Sequence, residues 1–194
     1  MRISYFLVMS LIVLSLSACE NIGKKPKSGR DTSLTILTYG LPGPRDLRNA
    51  EEITANRWGI SYKSVAGCIV SQSLRDSVKE HNSDVYERIE KKFGKNWRSK
   101  FETNVNSELI IVNRITTFLN KENTNIKKRL ELEKESNGLH YTIRPMKNDT
   151  IYEALATGWG EINGKSEYVM YYKYAVNIKT SSVKMVSDTV RRLY

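Results

Sequence analysis

The chain has 194 residues, with 31 lysines and arginines against 21 aspartates and glutamates, and a formal net charge of +10. This length suffices for one ordinary domain with a hydrophobic core and gives no reason to expect two. Two cysteines and two histidines offer almost no material for a zinc site, which takes three or four Cys, His or carboxylate ligands at short spacings. The composition therefore predicts a single domain without a bound metal ion.

An apolar run close to the N-terminus leads into small residues and a cysteine. The run covers residues 5–16, one arginine precedes it, and Ser17, Ala18 and Cys19 follow it. A transmembrane helix needs about 20 apolar residues to cross a hydrocarbon layer roughly 30 Å thick, so this run is too short to span a membrane. The order of positive charge, apolar run and small residues is typical of a signal peptide.

The segment 16–19, Leu-Ser-Ala-Cys, resembles the lipobox of bacterial lipoproteins. In that family a signal peptidase cuts before the cysteine, the thiol takes a diacylglycerol, and the new amino group is usually acylated as well. The resemblance implies a signal peptide over residues 1–18 and a lipid-modified, palmitate-bearing Cys19 that anchors the mature protein to a bacterial membrane. The alternative is an ordinary secretory signal with a cysteine near its end.

The residue after the cysteine and the basic excess bear on location and partners. Glu20 stands where enterobacterial lipoproteins kept in the inner membrane typically carry aspartate, so the resemblance implies the outer membrane if the source is Gram-negative. A lipid-anchored protein outside the cytoplasm rarely meets nucleic acid. We therefore expect the positive charge to face anionic lipid or an acidic envelope protein, and not nucleic acid.

Residues 19–32 predict a flexible basic tether. The stretch ENIGKKPKSGRDT has almost no apolar content and contains Gly23, Pro26 and Gly29. A coil of this length averages roughly 20 Å from end to end. We predict one globular domain over residues 33–194, held close to the membrane surface.

The globular region begins with a predicted strand, helix and strand. SLTILTYG alternates apolar and polar residues as a short strand does, and RDLRNAEEITANRWG has helical spacing, with Asp46 as a cap and Gly59 as a stop. ISYKSVAGCIV carries apolar residues on both faces and predicts a central strand covered on both sides. Cys68 would then be a small buried side chain without a nucleophilic role.

A stripe of side chains at three- and four-residue steps predicts a long amphipathic helix, with Ser73 near its start. Gly94 is expected to bend or break this helix, and the same rhythm resumes beyond it. The segment 107–121 fits a helix with Val112 and Ile115 inward, while its β-branched content also fits a strand, and the sequence leaves both open. The stripe consists of Leu74, Val78, His81, Val85 and Ile89.

The pair Asn137-Gly138 predicts a tight hairpin turn. In that register Leu132 faces Ile143, and both strands place their apolar residues on one side. Local propensity before the turn favours a helix. Because the alternating pattern and the turn agree, we predict strands.

A second Asn-Gly pair at residues 163–164 predicts another hairpin. Its register places Trp159 opposite Tyr168 and Leu155 opposite Tyr172. One face of this hairpin would be large and apolar, and it would need a layer of helices to cover it.

A last turn at residues 181–182, with Met185 opposite Ile178, completes a four- or five-stranded antiparallel meander. We expect Gly158 and Gly160 to allow a close approach to the sheet. Their spacing does not fit a dinucleotide-binding fingerprint, and we predict no cofactor. The predicted fold is α+β, with N-terminal helices packed on one face of a C-terminal antiparallel β-meander.

The meander also holds the candidate site residues. If its even-numbered face is the core, Tyr152 and Tyr171 are partly exposed and could form a binding surface, whereas tyrosines that simply fill the core are the alternative. Glu153 and Glu161, with Tyr152 nearby, are the carboxylates we nominate for a hydrolase. His81 is expected to be half-buried structure, not a catalytic base.

These features favour a lipid-anchored envelope lipoprotein that acts as a non-enzymatic accessory or binding protein. An inhibitor or immunity-like protein that neutralises a toxin or hydrolase is a special case. The alternative is an envelope hydrolase that uses carboxylates of the meander. No family resemblance extends into residues 33–194.

Overall fold

The computed structural model describes residues 33–146 and 149–193. The chain divides into two units, residues 1–33 and 34–194, and all the described helices and strands belong to the second. The predicted signal peptide, Cys19 and the tether over residues 19–32 lie outside the described residues. Within the described ranges no helix is both long and apolar enough to cross a membrane.

In the described ranges, four helices and a five-stranded antiparallel sheet confirm the predicted α+β class, with the helices N-terminal to the sheet. A separate pair of parallel strands flanks the first helix and precedes the other three helices and the sheet along the chain. The helices are α1 (Arg45–Trp58), α2 (Gln72–Phe93), α3 (Trp97–Lys121) and α4 (Asn123–Glu133). The strands are β1 (Leu34–Tyr39), β2 (Ile60–Ala66), β3 (His140–Pro145), β4 (Ile151–Ile162), β5 (Lys165–Asn177), β6 (Ser182–Ser187) and β7 (Arg191–Arg192).

The larger core lies between the meander and the helices on one of its faces. Strands β3 to β6 pair in sequence order and β7 pairs with β5. Apolar side chains of α1, α3 and α4 pack against side chains from one face of β3, β4 and β5 and are buried there. The helical interpretation of residues 107–121 is confirmed, since this segment belongs to α3 and buries Val112, Ile115 and Leu119.

The smaller core lies between the parallel pair β1–β2 and helix α2. Helix α1 is the crossover that a parallel connection requires, and Gly59 ends it in the left-handed conformation with φ +66°. Val85 and Ile89 of α2 pack with Ile36 of β1 and with Trp97 at the start of α3. The predicted amphipathic α2 is therefore confirmed.

The prediction of a central strand covered on both sides is wrong for β2. In the described part of the chain β2 pairs with β1 alone, and its residues 61–64 are exposed. The strand ends at Ala66, so the apolar residues of the second half of the predicted strand lie in a loop. Cys68 is in that loop and is exposed, not buried.

The hairpin predicted around Asn137-Gly138 is also wrong, because residues 123–133 form helix α4. Lysine, arginine, leucine and glutamate are strong helix formers, and their local preference prevails over a chance alternation. Ser136, with φ +57°, ends the helix, and the amide N–H of Asn137 donates to the carbonyl of Leu132 at 2.9 Å. These are features of a Schellman helix end, not of a two-residue hairpin.

The turn at residues 163–164 is confirmed, but the register beyond it shifts by one. Trp159 pairs with Tyr168 as predicted, whereas a bulge between Ala156 and Thr157 places Leu155 opposite Lys173 instead of Tyr172. A β-bulge inserts one residue into one strand, so every later pair moves by one. The predicted pairing of Met185 with Ile178 is wrong as well, since Met185 pairs with Tyr174.

Candidate functional site

A groove of about 520 Å³ runs along the outer edge of β1. Leu37 and Tyr39 of β1 form one wall, and side chains of α2 form the other. This volume falls within the range of ordinary small-ligand sites. The lining residues of α2 are Arg75, Val78, Lys79, Asn82, Ser83 and Tyr86.

Side chains of α2 occupy the open edge of β1. The Asn82 side-chain amide accepts a hydrogen bond from the Leu37 N–H and donates one to the Leu37 carbonyl, both at 2.9 Å. The preceding residue of α2, His81, donates its Nε2–H to the Thr35 carbonyl at 2.9 Å. An unpaired strand edge invites another chain to pair with it, and these bonds occupy that edge. They also fix the β1 wall of the groove.

The charged side chains that line the groove are Arg75 and Lys79, and both are basic. Tyr86 extends the basic wall, because the Arg98 guanidinium lies 4.4 Å from the centre of its ring. Leu37 and Val78 supply apolar surface beside these charges. The lining therefore suits a ligand that joins a negative charge to an apolar group.

A second, smaller cavity of about 200 Å³ lies over an ion pair between a buried carboxylate and a partly exposed arginine. Glu108 of α3 forms a salt bridge with Arg57 of α1, and the Tyr152 hydroxyl of β4 donates to Oε2 of Glu108 at 3.3 Å. Burial and the charge of Glu108 raise the pKa of Tyr152 above its usual value, so this phenol stays protonated. The pair neutralises itself and ties three elements together, which fits a structural role.

The predicted exposure of Tyr152 and Tyr171 is wrong. Tyr152 is 0% exposed and Tyr171 is 6% exposed, because β4 turns its even-numbered residues toward the helices and the bulge turns Tyr171 to the same side. The Tyr171 hydroxyl donates to the Trp159 carbonyl at 2.6 Å. Neither tyrosine forms an open binding surface, and the alternative reading, tyrosines that fill the core, describes both.

The two carboxylates nominated for a hydrolase lie away from both cavities. Glu153 forms a salt bridge with Lys173 across the sheet, and Glu161 is exposed near the hairpin end of β4. Neither residue lines the groove or the smaller cavity. Among the described residues, no cluster of three or more His, Cys, Asp or Glu could hold a metal ion.

The sequence alone does not single out the groove residues, although they recur at helical spacing. Arg75, Lys79, Asn82 and Tyr86 recur at three- and four-residue steps, one position after the apolar stripe of α2. Charged positions beside an apolar stripe usually face solvent, so the spacing alone did not distinguish a groove wall from a solvated face. Only the position of β1 against α2 makes that distinction.

No family model, no curated protein and no solved structure matches this chain.

Proposed function

We propose that this protein is a lipid-anchored, non-enzymatic accessory or binding protein of the bacterial envelope. The observation that carries the binding role is the groove beside β1, whose charged lining residues are both basic and whose other lining residues are apolar, aromatic or uncharged polar. Its ligand is a negatively charged group attached to an apolar one. An inhibitor or immunity-like protein remains a special case of this function.

The anchor in this proposal is Cys19. It follows an apolar run and two small residues in the order of a lipobox, and the stretch after it is basic and poor in apolar side chains. Two or three acyl chains would make membrane attachment effectively permanent, since each buried methylene contributes about 0.8 kcal/mol. By the resemblance of Glu20, the outer membrane is the proposed location in a Gram-negative source.

A hydrolase that uses Glu153 and Glu161 is the weaker alternative. A general acid and a general base must both reach the reacting atoms of one substrate. The pKa values of such catalytic groups are usually shifted from their ordinary values. Glu153 is held by Lys173, and Glu161 lies at the exposed end of the strand. Geometry thus favours binding over hydrolysis by these residues.

Metabolic labelling tests the anchor. Cells that express the full chain are grown with radioactive palmitate, and the label is expected on the wild-type protein and not on Cys19→Ala. Cys68→Ala is the matched control, because Cys68 is the other cysteine of the chain and is exposed. Label that survives Cys19→Ala, or a mature protein of normal size from that variant, would contradict the anchor.

Octyl phosphate tests the groove, because it joins an anionic head to a short apolar chain. We expect Arg75→Gln with Lys79→Gln to weaken its binding about tenfold, or ~1.4 kcal/mol, in calorimetric titration. Lys100→Gln with Lys121→Gln removes the same charge from exposed positions of α3 and should change binding by less than about twofold. Equal losses in both pairs would show that net charge, and not the groove, attracts the ligand. Octyl glucoside is the neutral control ligand.

A further inference from the structure

Two loops at the same end of the parallel pair carry the most exposed large apolar side chains of the described residues. Ile69, after β2, is 95% exposed, and Leu41, after β1, is 81% exposed. We call Tyr39, Leu41, Cys68 and Ile69 the apolar tip. Such a patch of aliphatic side chains on a soluble domain marks a surface that contacts a membrane or another protein.

The two loops begin side by side. The amide N–H of Gly40 donates to the carbonyls of Ala66 and Gly67 at 3.3 and 3.1 Å. Gly40 has φ +94°, a backbone conformation that favours glycine at the point where β1 ends. Leu41 and Ile69 follow this junction by one and two residues, so the loops that carry them leave the sheet together.

Positive charge adjoins the apolar tip. The Arg75 guanidinium donates to the Val70 carbonyl at 3.2 Å, which attaches this groove residue to the loop that bears Ile69. Lys79 lies one turn further along α2 in the same groove. Aliphatic side chains with a basic rim are the combination by which peripheral proteins bind anionic membrane surfaces.

We propose that the apolar tip inserts into an anionic phospholipid bilayer, with lipid phosphates held by Arg75 and Lys79. This inference rests on the proposed function, since the Cys19 anchor and tether would hold the domain at an average distance of roughly 20 Å from a bilayer and so raise the effective concentration of lipid. Leu41 and Ile69 are 81% and 95% exposed and line neither the groove nor the smaller cavity, which suits insertion into a fluid phase. The charge complementarity of the basic rim selects anionic lipid over neutral lipid.

Cys68 supplies a native reporter inside the apolar tip. The mature lipidated protein is reconstituted in vesicles and a nitroxide spin label is attached to Cys68, the one cysteine left free once Cys19 is acylated. Paramagnetic resonance then compares label collisions with oxygen, which enters lipid, and with a nickel chelate, which stays in water. One vesicle set contains equal parts phosphatidylglycerol and phosphatidylcholine, and the other contains phosphatidylcholine alone.

We expect the ratio of oxygen to nickel accessibility to rise at least threefold in the anionic vesicles compared with the neutral ones. Leu41→Ser with Ile69→Ser should abolish the rise, and Arg75→Gln with Lys79→Gln should reduce it to that of neutral vesicles. Ile110→Ser is the matched control, because Ile110 is 72% exposed on α3 and lies outside the apolar tip. The substituted side chains are all exposed, so none of these changes removes a core contact.

Unchanged accessibility in anionic vesicles, with the protein still floating with the vesicles on a density gradient, would overturn the insertion while leaving the anchor intact. Loss of flotation together with a second label at Cys19 would instead contradict the proposed lipid anchor. Shielding of the label from both oxygen and nickel at high protein density would identify a second copy as the occupant. The same shielding on addition of an acidic protein would identify a protein partner, and either result would overturn the membrane proposal.

Discussion

Two buried threonines differ in what their hydroxyls meet. Thr54 of α1 is 1% exposed, and its Oγ1 has no hydrogen-bond partner among the described residues. Thr157 of β4 is equally buried, but its hydroxyl bonds to the Tyr168 hydroxyl at 2.9 Å and donates to the His140 carbonyl at 3.3 Å. A buried polar group without a partner costs stability, whereas a bonded one contributes.

The two threonines therefore predict opposite effects of the same change. Thr54→Val keeps the shape and removes an unpaired hydroxyl, so we expect the free energy of unfolding to rise by about 1 kcal/mol. Thr157→Val breaks two hydrogen bonds and should lower it by about 1–2 kcal/mol. Urea unfolding of both variants measures the difference. Destabilisation by Thr54→Val would mean that its hydroxyl does have a partner.

His140 predicts a pH dependence of stability. Burial, and then the positive charges of Arg45 and Arg48, lower the pKa of His140 below its ordinary value of 6.5. Below pH 6.5 the unfolded chain therefore binds a proton more readily than the folded chain does, so this contribution to stability is complete above pH 6.5 and is lost as pH falls.

We expect His140→Gln to flatten the decline in the free energy of unfolding between pH 7 and pH 5. His81→Gln is the control histidine variant: it changes a hydrogen bond to β1 and should lower stability without removing that decline. A pH profile for His140→Gln that parallels wild type would contradict the assignment.

At the level of the element, one side chain of α2 makes both hydrogen bonds to Leu37 on the outer edge of β1. Asn82→Ala removes both hydrogen bonds to Leu37, so we expect a loss of about 2 kcal/mol and faster hydrogen exchange at the Leu37 amide. An uncovered strand edge should also increase self-association, which sedimentation measures. Ser83→Ala, at the neighbouring exposed position, should leave stability and exchange within about 0.5 kcal/mol of wild type. Slow exchange at Leu37 in Asn82→Ala would contradict the role of this amide.

Element types followed from the sequence where local preference and burial agreed. The predicted amphipathic helix α2 and the predicted helix end at Gly59 are both confirmed, because the apolar periodicity and the residues that end a helix indicate the same boundaries. At residues 123–133 the local helix preference and the alternating pattern disagreed. The helix forms because lysine, arginine, glutamate and leucine side chains favour it locally, and the predicted turn is the end of that helix. The alternating residues of that segment pair with no strand, since they lie in a helix.

The face of a strand proved harder to predict than its existence. The extra residue of the bulge lies in β5, so β4 keeps its even-numbered residues toward the helices, while β5 buries Val169 and Tyr171 before the shift and Tyr174 and Val176 after it. No residue pattern in the hairpin indicates this shift. Gly158 gives the physical reason for the observed face: a Cβ there would lie 2.7 Å from the Gly138 carbonyl oxygen. The predicted close approach to the sheet at Gly158 is therefore confirmed, while the predicted exposure of Tyr152 is not.

At the scale of the molecule, the two cores share helices. Ile53 of α1 packs in the larger core and Ala55 in the smaller one, and Phe101 of α3 touches both. The ion pair between Arg57 and Glu108 adds a polar link between α1 and α3. Shared elements of this kind favour one cooperative unfolding transition.

We predict that the smaller and larger cores unfold together. Val85→Ala in the smaller core leaves a cavity and should cost about 1–3 kcal/mol, with a single shifted transition by both far-ultraviolet dichroism and tryptophan fluorescence. Trp58 and Trp97 report on the smaller core, and the backbone signal reports on the whole domain. A fluorescence transition that moves while the dichroism transition stays would contradict the shared cooperativity.

The central claim, a protein held in the envelope by lipid on Cys19, is tested most directly by intact mass spectrometry of the protein from the membrane fraction of the cells that make it. We expect a chain that begins at Cys19 and carries a diacylglycerol and, usually, an amide-linked acyl chain. A chain that begins at another residue, or a Cys19 that carries no acyl group, would contradict it.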